Sequence, residues 1–284
     1  METISASPAS NAHVAPQRTS PHWPEYAIEA AALGTFMVSA AVFSTALYHP
    51  ASPLAAGISN EWARRLVMGL AMGLTAVGII YSPWGQRSGA HMNPAVTLTF
   101  FRLGKMEPRD FAWYVLAQFF GGVAGVAICA IALGSLIADP TVNYVVTTPG
   151  PAGETVAFAA ELAMSFGMMF VVLAVSNRPM VARFTGMCAG LLVWAYITIE
   201  APLSGMSINP ARTLGSAVLA RDFTGLWIYF VAPPIGMLLA AELYTRRARV
   251  HRVMCAKLHH PHGPGCVFGC DRRMRAMAVD RMQA

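Results

Sequence analysis

Apolar residues fall into six long runs that are separated by short polar or Pro- and Gly-rich connections. The runs cover about residues 26–48, 66–82, 110–137, 155–176, 184–200 and 223–245. A helix needs about 17–25 mostly apolar residues to cross the hydrocarbon core of a bilayer, and each run is close to that length. The pattern therefore predicts an all-α membrane protein with six transmembrane helices.

Two further apolar segments are too short to cross a bilayer. They run from Pro94 to about Phe101 and from Pro210 to about Ala220. At about 1.5 Å per residue, each covers only about half of the hydrocarbon core. Non-helical backbone at membrane depth is tolerated where it is buried in protein or lines a wet cavity. We therefore expect two re-entrant half-helices. Each opens with the triplet Asn-Pro-Ala, which is Asn93, Pro94 and Ala95 in the first and Asn209, Pro210 and Ala211 in the second.

The two halves of the chain resemble each other. The first contains "AIEAAALGTFMV" and then "SGAHMNPAVTL", and the second contains "AAELAMSFGMMFVV" and then "SGMSINPARTL". Each half holds three spans, which is an odd number, so the second copy must enter the membrane from the opposite side. This predicts an inverted repeat, with halves at about 25–137 and 154–247, whose functional site lies where the copies meet at the midplane.

The triplets suggest the chemistry of that site. Asn is a favoured N-cap and Pro a favoured first helical residue, so both half-helices begin abruptly near the bilayer centre. Their positive ends then face each other and disfavour cations and hydronium. If each Asn oxygen caps its own helix, the NH₂ groups point into the lumen and hold a passing water by its oxygen. The arrangement predicts a channel for neutral polar solutes.

Composition and charge agree with a membrane protein. The chain is 55% hydrophobic and 12% charged, whereas soluble domains are about 25% charged. Much of the net charge of +6 follows the last apolar run, where basic residues set topology more often than they bind nucleic acid. We therefore expect a multi-pass protein of the plasma (inner) membrane, in contact with the lipid bilayer, with both termini cytoplasmic and no nucleic-acid partner.

The two ends of the chain differ from the middle. Residues 1–24 are rich in Ser, Pro, Ala and His and lack the pattern of a signal peptide, which predicts a disordered extension. Residues 248–284 form a basic tail that we expect in the cytoplasm. It holds six residues that could bind a soft metal: Cys255, His259, His260, His262, Cys266 and Cys270. Their spacing matches no standard zinc module. Chance enrichment is the favoured interpretation, a metal or redox gate is the alternative, and no cofactor is expected.

The motifs "SGAHMNPAVT" and "GMSINPARTLGSAV", with similarity over about residues 25–247, resemble the aquaporin and glycerol-facilitator family. The resemblance implies six tilted helices and two half-helices in each subunit, with a pore in every subunit of a homotetramer.

The resemblance also implies which residues form the narrowest constriction. Arg212, directly after the second triplet, corresponds to the family's constriction arginine; an anchor among lipid headgroups is the alternative. Counting back from the motifs places the other walls at Met72 or Gly73, at Ile197 and at Met206. Strict water channels of the family usually carry His where Ile197 stands. The opening is therefore expected to be wider or less selective for water.

Glu29 and Glu161 lie inside apolar spans, where carboxylates are costly and usually functional. The resemblance implies that they accept hydrogen bonds from the re-entrant loops, and a proton relay is the alternative. It also implies a ladder of backbone carbonyls along the pore, for which the candidates are Gly89, Ala90, His91, Gly205, Met206 and Ser207.

We therefore expect a passive channel for water and further small uncharged solutes that excludes ions and protons. A facilitator selective for glycerol, ammonia or neutral metalloid acids is the alternative. Thr213 stands where glycerol facilitators typically carry Asp, which favours water. A coupled secondary transporter is less favoured because the spans hold few acidic residues. The sequence contains no P-loop, HExxH or GxSxG motif, so no motif suggests an enzyme.

Overall fold

The computed structural model describes residues 20–247, 253–260, 266–268 and 270. Within them, six helices are long and apolar enough to cross a membrane, and two shorter ones follow the Asn-Pro-Ala triplets. This confirms the predicted fold class. The spanning helices are α1 (Trp23–Tyr48), α2 (Glu61–Tyr81), α4 (Pro108–Leu133), α5 (Glu154–Ser176), α6 (Thr185–Ile199) and α8 (Leu226–Arg247), and the half-helices are α3 (Pro94–Arg102) and α7 (Pro210–Ala220).

Short turns of helix connect these elements. They are Pro53–Gly57, Pro83–Ser88, Ser135–Ala138 and Ala201–Ser204, with 3₁₀ turns at Asn143–Val145 and Ala182–Phe184. Of the predicted terminal segments, residues 1–19, 248–252, 261–265, 269 and 271–284 lie outside the part of the chain that the structure describes.

Each half-helix packs between one spanning helix of each repeat. Both α3 and α7 contact α4 and α8, while α1 packs on α4, α2 on α6 and α5 on α8. The contact of α7 with α4 is close because two glycines meet there: a Cβ on Gly215 would lie 2.5 Å from the carbonyl carbon of Gly122. Small residues of this kind let helix backbones approach within a membrane. The contacts hold both half-helices inside the bundle, with most of their residues buried.

One end of the bundle carries most of the basic loop residues. Arg87 binds Glu25 in the first turn of α1, with Nε and Oε1 2.9 Å apart. Tyr81 donates a hydrogen bond to the carbonyl of Arg183, and the N–H of Met254 donates to Oδ1 of Asn177 at 2.6 Å. The start of α1, the α2–α3 and α5–α6 connections and the described tail residues therefore share this end, which we call the basic face.

Candidate functional site

A buried carboxylate holds the first re-entrant loop. Glu29, on α1, has no exposed surface and accepts hydrogen bonds from the backbone N–H groups of His91 and Met92, at 3.0 and 2.7 Å. It also accepts from Ser88 Oγ and Gln118 Nε2, both at 2.8 Å. These four bonds replace the water that the carboxylate loses on burial, so its place inside a membrane helix has a structural explanation.

Glu161 holds the second loop in the same way. It accepts from the N–H groups of Ser207 and Ile208, at 2.7 and 2.6 Å, and from Ser204 Oγ at 2.8 Å. A tyrosine at the equivalent place in each half also binds the loop: Tyr114 donates a hydrogen bond to the carbonyl of Ser88, and Tyr229 donates one to the carbonyl of Ser204. The matching contacts show that the two halves repeat in three dimensions as they do in sequence.

Both loops adopt the same strained backbone. After Gly89 and Gly205, which have φ of 101° and 76°, alternate residues lie in the left-handed region. These residues are Ala90, Met92, Met206 and Ile208, with φ between 49° and 54°. Each sparsely populated conformation costs about 1–3 kcal/mol and persists only where neighbouring contacts impose it. The bonds to Glu29 and Glu161 supply those contacts.

The two asparagines cap their half-helices and also join the two repeats. Asn93 Oδ1 accepts from the N–H of Ala95, and Asn209 Oδ1 accepts from those of Ala211 and Arg212. The expected N-caps are therefore present. The expectation that both NH₂ groups lie wholly open to the lumen needs correction. Asn93 Nδ2 donates to the carbonyl of Ile208 and Asn209 Nδ2 to that of Met92, each at 2.7 Å. An amide NH₂ has two hydrogens, so one on each Asn remains for a solute.

Both Asn93 and Asn209 line a cavity of about 120 Å³. Four of the residues expected at the constriction lie on its wall: Met72, Ile197, Met206 and Arg212. Gly73, the other position considered on α2, faces α6 instead, where a Cβ would lie 2.6 Å from the carbonyl oxygen of Gly190. The close packing of these helices thus turns Met72, and not Gly73, toward the cavity.

Arg212 adds a positively charged guanidinium to a cavity wall that is otherwise largely apolar. Its side chain lines the cavity, and Nη1 is buried without a hydrogen-bond partner among the described residues. The position agrees with the lumenal placement and not with a lipid-headgroup anchor.

The candidates for the carbonyl ladder separate into two groups. Ala90, His91, Met206 and Ser207 line the cavity. Gly89 and Gly205 do not, and the Gly89 carbonyl accepts the N–H of Leu258 at 3.2 Å. The two glycines instead provide the left-handed turns that open each loop.

Several wall residues were not predicted. Met68 and Val193 line the cavity, each one helical turn before a predicted position, Met72 or Ile197. The four-residue spacing on one helix face could have indicated them. Leu258, in the tail, also lines the cavity, and the local sequence carries no signal for it.

The structure brings four of the six tail candidates together. Nitrogen or sulfur atoms of Cys255, His260, Cys266 and Cys270 all lie within 4.8 Å of one another. His259 instead packs edge-on against the ring of Tyr81, and His262 lies outside the described residues.

Comparisons with known proteins agree with this geometry. A family model described as "Major intrinsic protein" matches residues 19–244. "Aquaporin NIP2-3" of Zea mays is 40% identical over 194 residues, which cover 66% of this chain and 61% of that protein. "Aquaporin NIP6-1" of Arabidopsis thaliana is 36% identical, over 60% of this chain and 54% of that protein. The chain thus spans less than two thirds of these relatives.

The fold also matches a solved structure. The X-ray structure of the aquaglyceroporin from Plasmodium falciparum superimposes with a TM-score of 0.67 at 22% identity, covering 79% of this chain and 96% of that one.

Proposed function

The chain belongs to the major intrinsic protein family, and from that premise we propose that it is a passive channel for water and small uncharged solutes that excludes ions and protons. One observation carries the proposal: the asparagines that cap the two half-helices, Asn93 and Asn209, line one cavity, and each donates a hydrogen bond to the loop before the other.

The electrostatics of that meeting point suit neutral solutes. Each helix N-terminus is equivalent to about half a positive charge, which is poorly screened inside a bundle. The remaining amide hydrogens donate to the oxygen of a water molecule, whose own hydrogens then point away along the file. A proton cannot readily pass a water held in this orientation, and a cation meets a repulsive potential.

The apolar wall bears on the choice of solute. Met72, Ile197 and Met206 line the cavity together with Arg212, so three of the four side chains at the expected constriction offer no hydrogen bond. We infer water as the main permeant. A facilitator for glycerol, ammonia or neutral metalloid acids is the second candidate, because an apolar wall also accommodates the carbon backbone of a small polyol.

The proposal includes the surroundings of the channel. We place it in the plasma (inner) membrane with cytoplasmic termini, as a homotetramer with a pore in each subunit and without catalytic activity. The channel occupies residues 25–247 in two repeats, and residues 248–284 form an appended cytoplasmic tail.

Osmotic shrinkage of proteoliposomes tests the function. The full chain and its Leu258→Ala variant, which shortens the tail side chain in the cavity, are compared with empty liposomes. We expect rapid water flow without electrical current for the Leu258→Ala variant. The full chain should conduct in the same way unless the Leu258 side chain blocks its pore. A proton gradient requirement would favour a coupled transporter, and no flow from either protein would overturn the channel.

Arg212→Val tests the selectivity of the same site. Removal of the lumenal charge should relax rejection of charge or of larger solutes, seen as uptake of glycerol or urea in swelling assays. Arg246→Val is the matched control, because its side chain is 77% exposed and pairs with Glu242 on the surface of α8. Unchanged selectivity in Arg212→Val would remove Arg212 from the constriction.

A further inference from the structure

Three thiols and one imidazole meet at the basic face in the geometry of a metal site. Sγ of Cys255 and Sγ of Cys266 are 3.5 Å apart, and Sγ of Cys270 is 3.2 Å from Nε2 of His260. Three cysteines and one histidine are a closed structural set for zinc, with Zn–S of about 2.3 Å and Zn–N of about 2.0–2.1 Å. In a tetrahedron of that size the ligand atoms lie about 3.4–3.8 Å apart. The two distances above are close to this range, and no pair of the four ligand atoms is more than 4.8 Å apart.

One arm of this cluster crosses the mouth of the pore cavity. His91 Nε2 lies 2.8 Å from the carbonyl oxygen of Ala256, and the N–H of Leu258 donates to the Gly89 carbonyl. Ala256 has no exposed surface. Residues 253–260 are therefore seated on the first re-entrant loop, with the Leu258 side chain in the cavity.

The other arm docks on the same loop independently. The Phe268 ring stacks on His91 with centroids 5.5 Å apart and planes 13° apart, and meets Tyr114 edge-on. A Cβ on Gly89 would lie 3.0 Å from the same ring. Cys255 and His260 belong to the first arm, and Cys266 and Cys270 flank Phe268, so the four ligands join both arms.

We propose that Cys255, His260, Cys266 and Cys270 bind one zinc ion, which fixes the tail over the basic face so that Leu258 closes the pore. The metal site stands on its own geometry, whereas the closure rests on the proposed channel function. Binding converts three thiols to thiolates and releases their protons to solvent. The arms are short and carry no helix or strand among their described residues, so the binding free energy of the metal supplies much of their folding free energy. Loss of zinc therefore releases Leu258.

Metal content tests the site. The full chain, purified without chelator and with reducing agent, should retain one zinc per chain by elemental analysis. Cys266→Ser and Cys270→Ser should lose most of it, and Cys270→His should recover it because imidazole is also a zinc ligand. Cys188→Ser is the matched control, since this thiol lies on α6 outside the cluster. No zinc in the wild type, or a Cys255–Cys266 disulfide found by peptide mass analysis, would overturn the site.

Water flow tests the closure. Chelation should raise the osmotic permeability of wild-type proteoliposomes by about tenfold, within the usual range for coupling between two sites. Cys270→Ser should be permeable without chelator, while Cys188→Ser should behave as wild type. Leu258→Ala should keep its zinc and still conduct.

Two results would overturn the closure, and they are distinguishable. Equal water flow with and without zinc would show that the zinc site does not control the opening of the pore, and would overturn the closure. No flow from chelated wild type and from Leu258→Ala would overturn the channel function itself, with the zinc content still measured separately.

Discussion

At the scale of single residues, the two buried glutamates show what makes a carboxylate tolerable inside a membrane helix. Glu29 and Glu161 each accept two backbone N–H groups and a serine hydroxyl from a re-entrant loop. An unpaired buried charge costs several kcal/mol, and these bonds offset that cost while they hold strained backbone in place. This explains both residues without a proton relay.

Glu200, just beyond α6, is buried without that support. Both carboxylate oxygens are buried. Burial, with a contribution from the nearby charge of Glu161, outweighs the opposing effect of Ser204 and raises the pKa of Glu200 to about 8. Because the unfolded chain releases this proton near pH 4.5, the free energy of unfolding should fall as the pH rises from about 4.5 to 8. Glu200→Gln should flatten that dependence in thermal unfolding measured between pH 5 and 9. An equal slope in the variant and the wild type would contradict the assignment.

The sequence could predict which residue types form the site but not all of their contacts. The triplets and Arg212 were found because helix capping and buried charge leave local signals. The bonds of Asn93 and Asn209 to the opposite loops, and the choice of Met72 over Gly73, depend on how the two repeats are packed together. A shift of one residue along α2 decides whether Met72 or Gly73 points into the cavity and which of them packs against α6. The spacing from the first Asn-Pro-Ala triplet is compatible with either residue.

At the scale of elements, the seating of α7 depends on the absence of a side chain at Gly215. A methyl there would overlap Gly122 of α4, and overpacking of this kind costs about 1–3 kcal/mol. Gly215→Ala should therefore lower the thermal stability and the water permeability of the channel by displacing the second triplet. In Gly78→Ala, the matched control on α2, the new methyl meets nothing within 4 Å, so stability should be unchanged or higher by up to about 1 kcal/mol. Equal behaviour of the two variants would show that the close contact is not needed.

Most elements could be predicted from hydropathy and helix-start signals. The half-helices expected from Pro94 and Pro210 end at Arg102 and Ala220, close to the expected ends, because Asn-Pro fixes where each begins. The second span was less well predicted: it begins at Glu61 and not near residue 66. Its first turn is polar and falls outside the apolar run, although Asn60 caps it by accepting a hydrogen bond from the N–H of Ala63. The tail arms had no periodic pattern to indicate that they would dock.

At the scale of the whole molecule, the distribution of basic residues distinguishes the two ends of the bundle. Arg87, Arg178 and Arg183 belong to short connections at the basic face, together with the start of α1 and the described tail residues. Short loops rich in Lys and Arg remain on the cytoplasmic side during insertion. With six spans, the two termini must share one side, so the orientation of any one loop fixes them all.

An accessibility experiment tests the proposed orientation. Epitope tags are placed at either terminus, after Met180 in the α5–α6 connection, where the side chain is 88% exposed, and after Pro140 in the α4–α5 connection. An impermeant antibody should reach the terminal and Met180 tags only in inside-out vesicles, and the Pro140 tag only in right-side-out vesicles, because these connections lie at opposite ends of the bundle. Water permeability of each tagged protein serves as the control for folding. Terminal tags reached only in right-side-out vesicles, with the Pro140 tag reached only in inside-out vesicles, would reverse the orientation and move the Leu258 closure to the outer mouth of the pore.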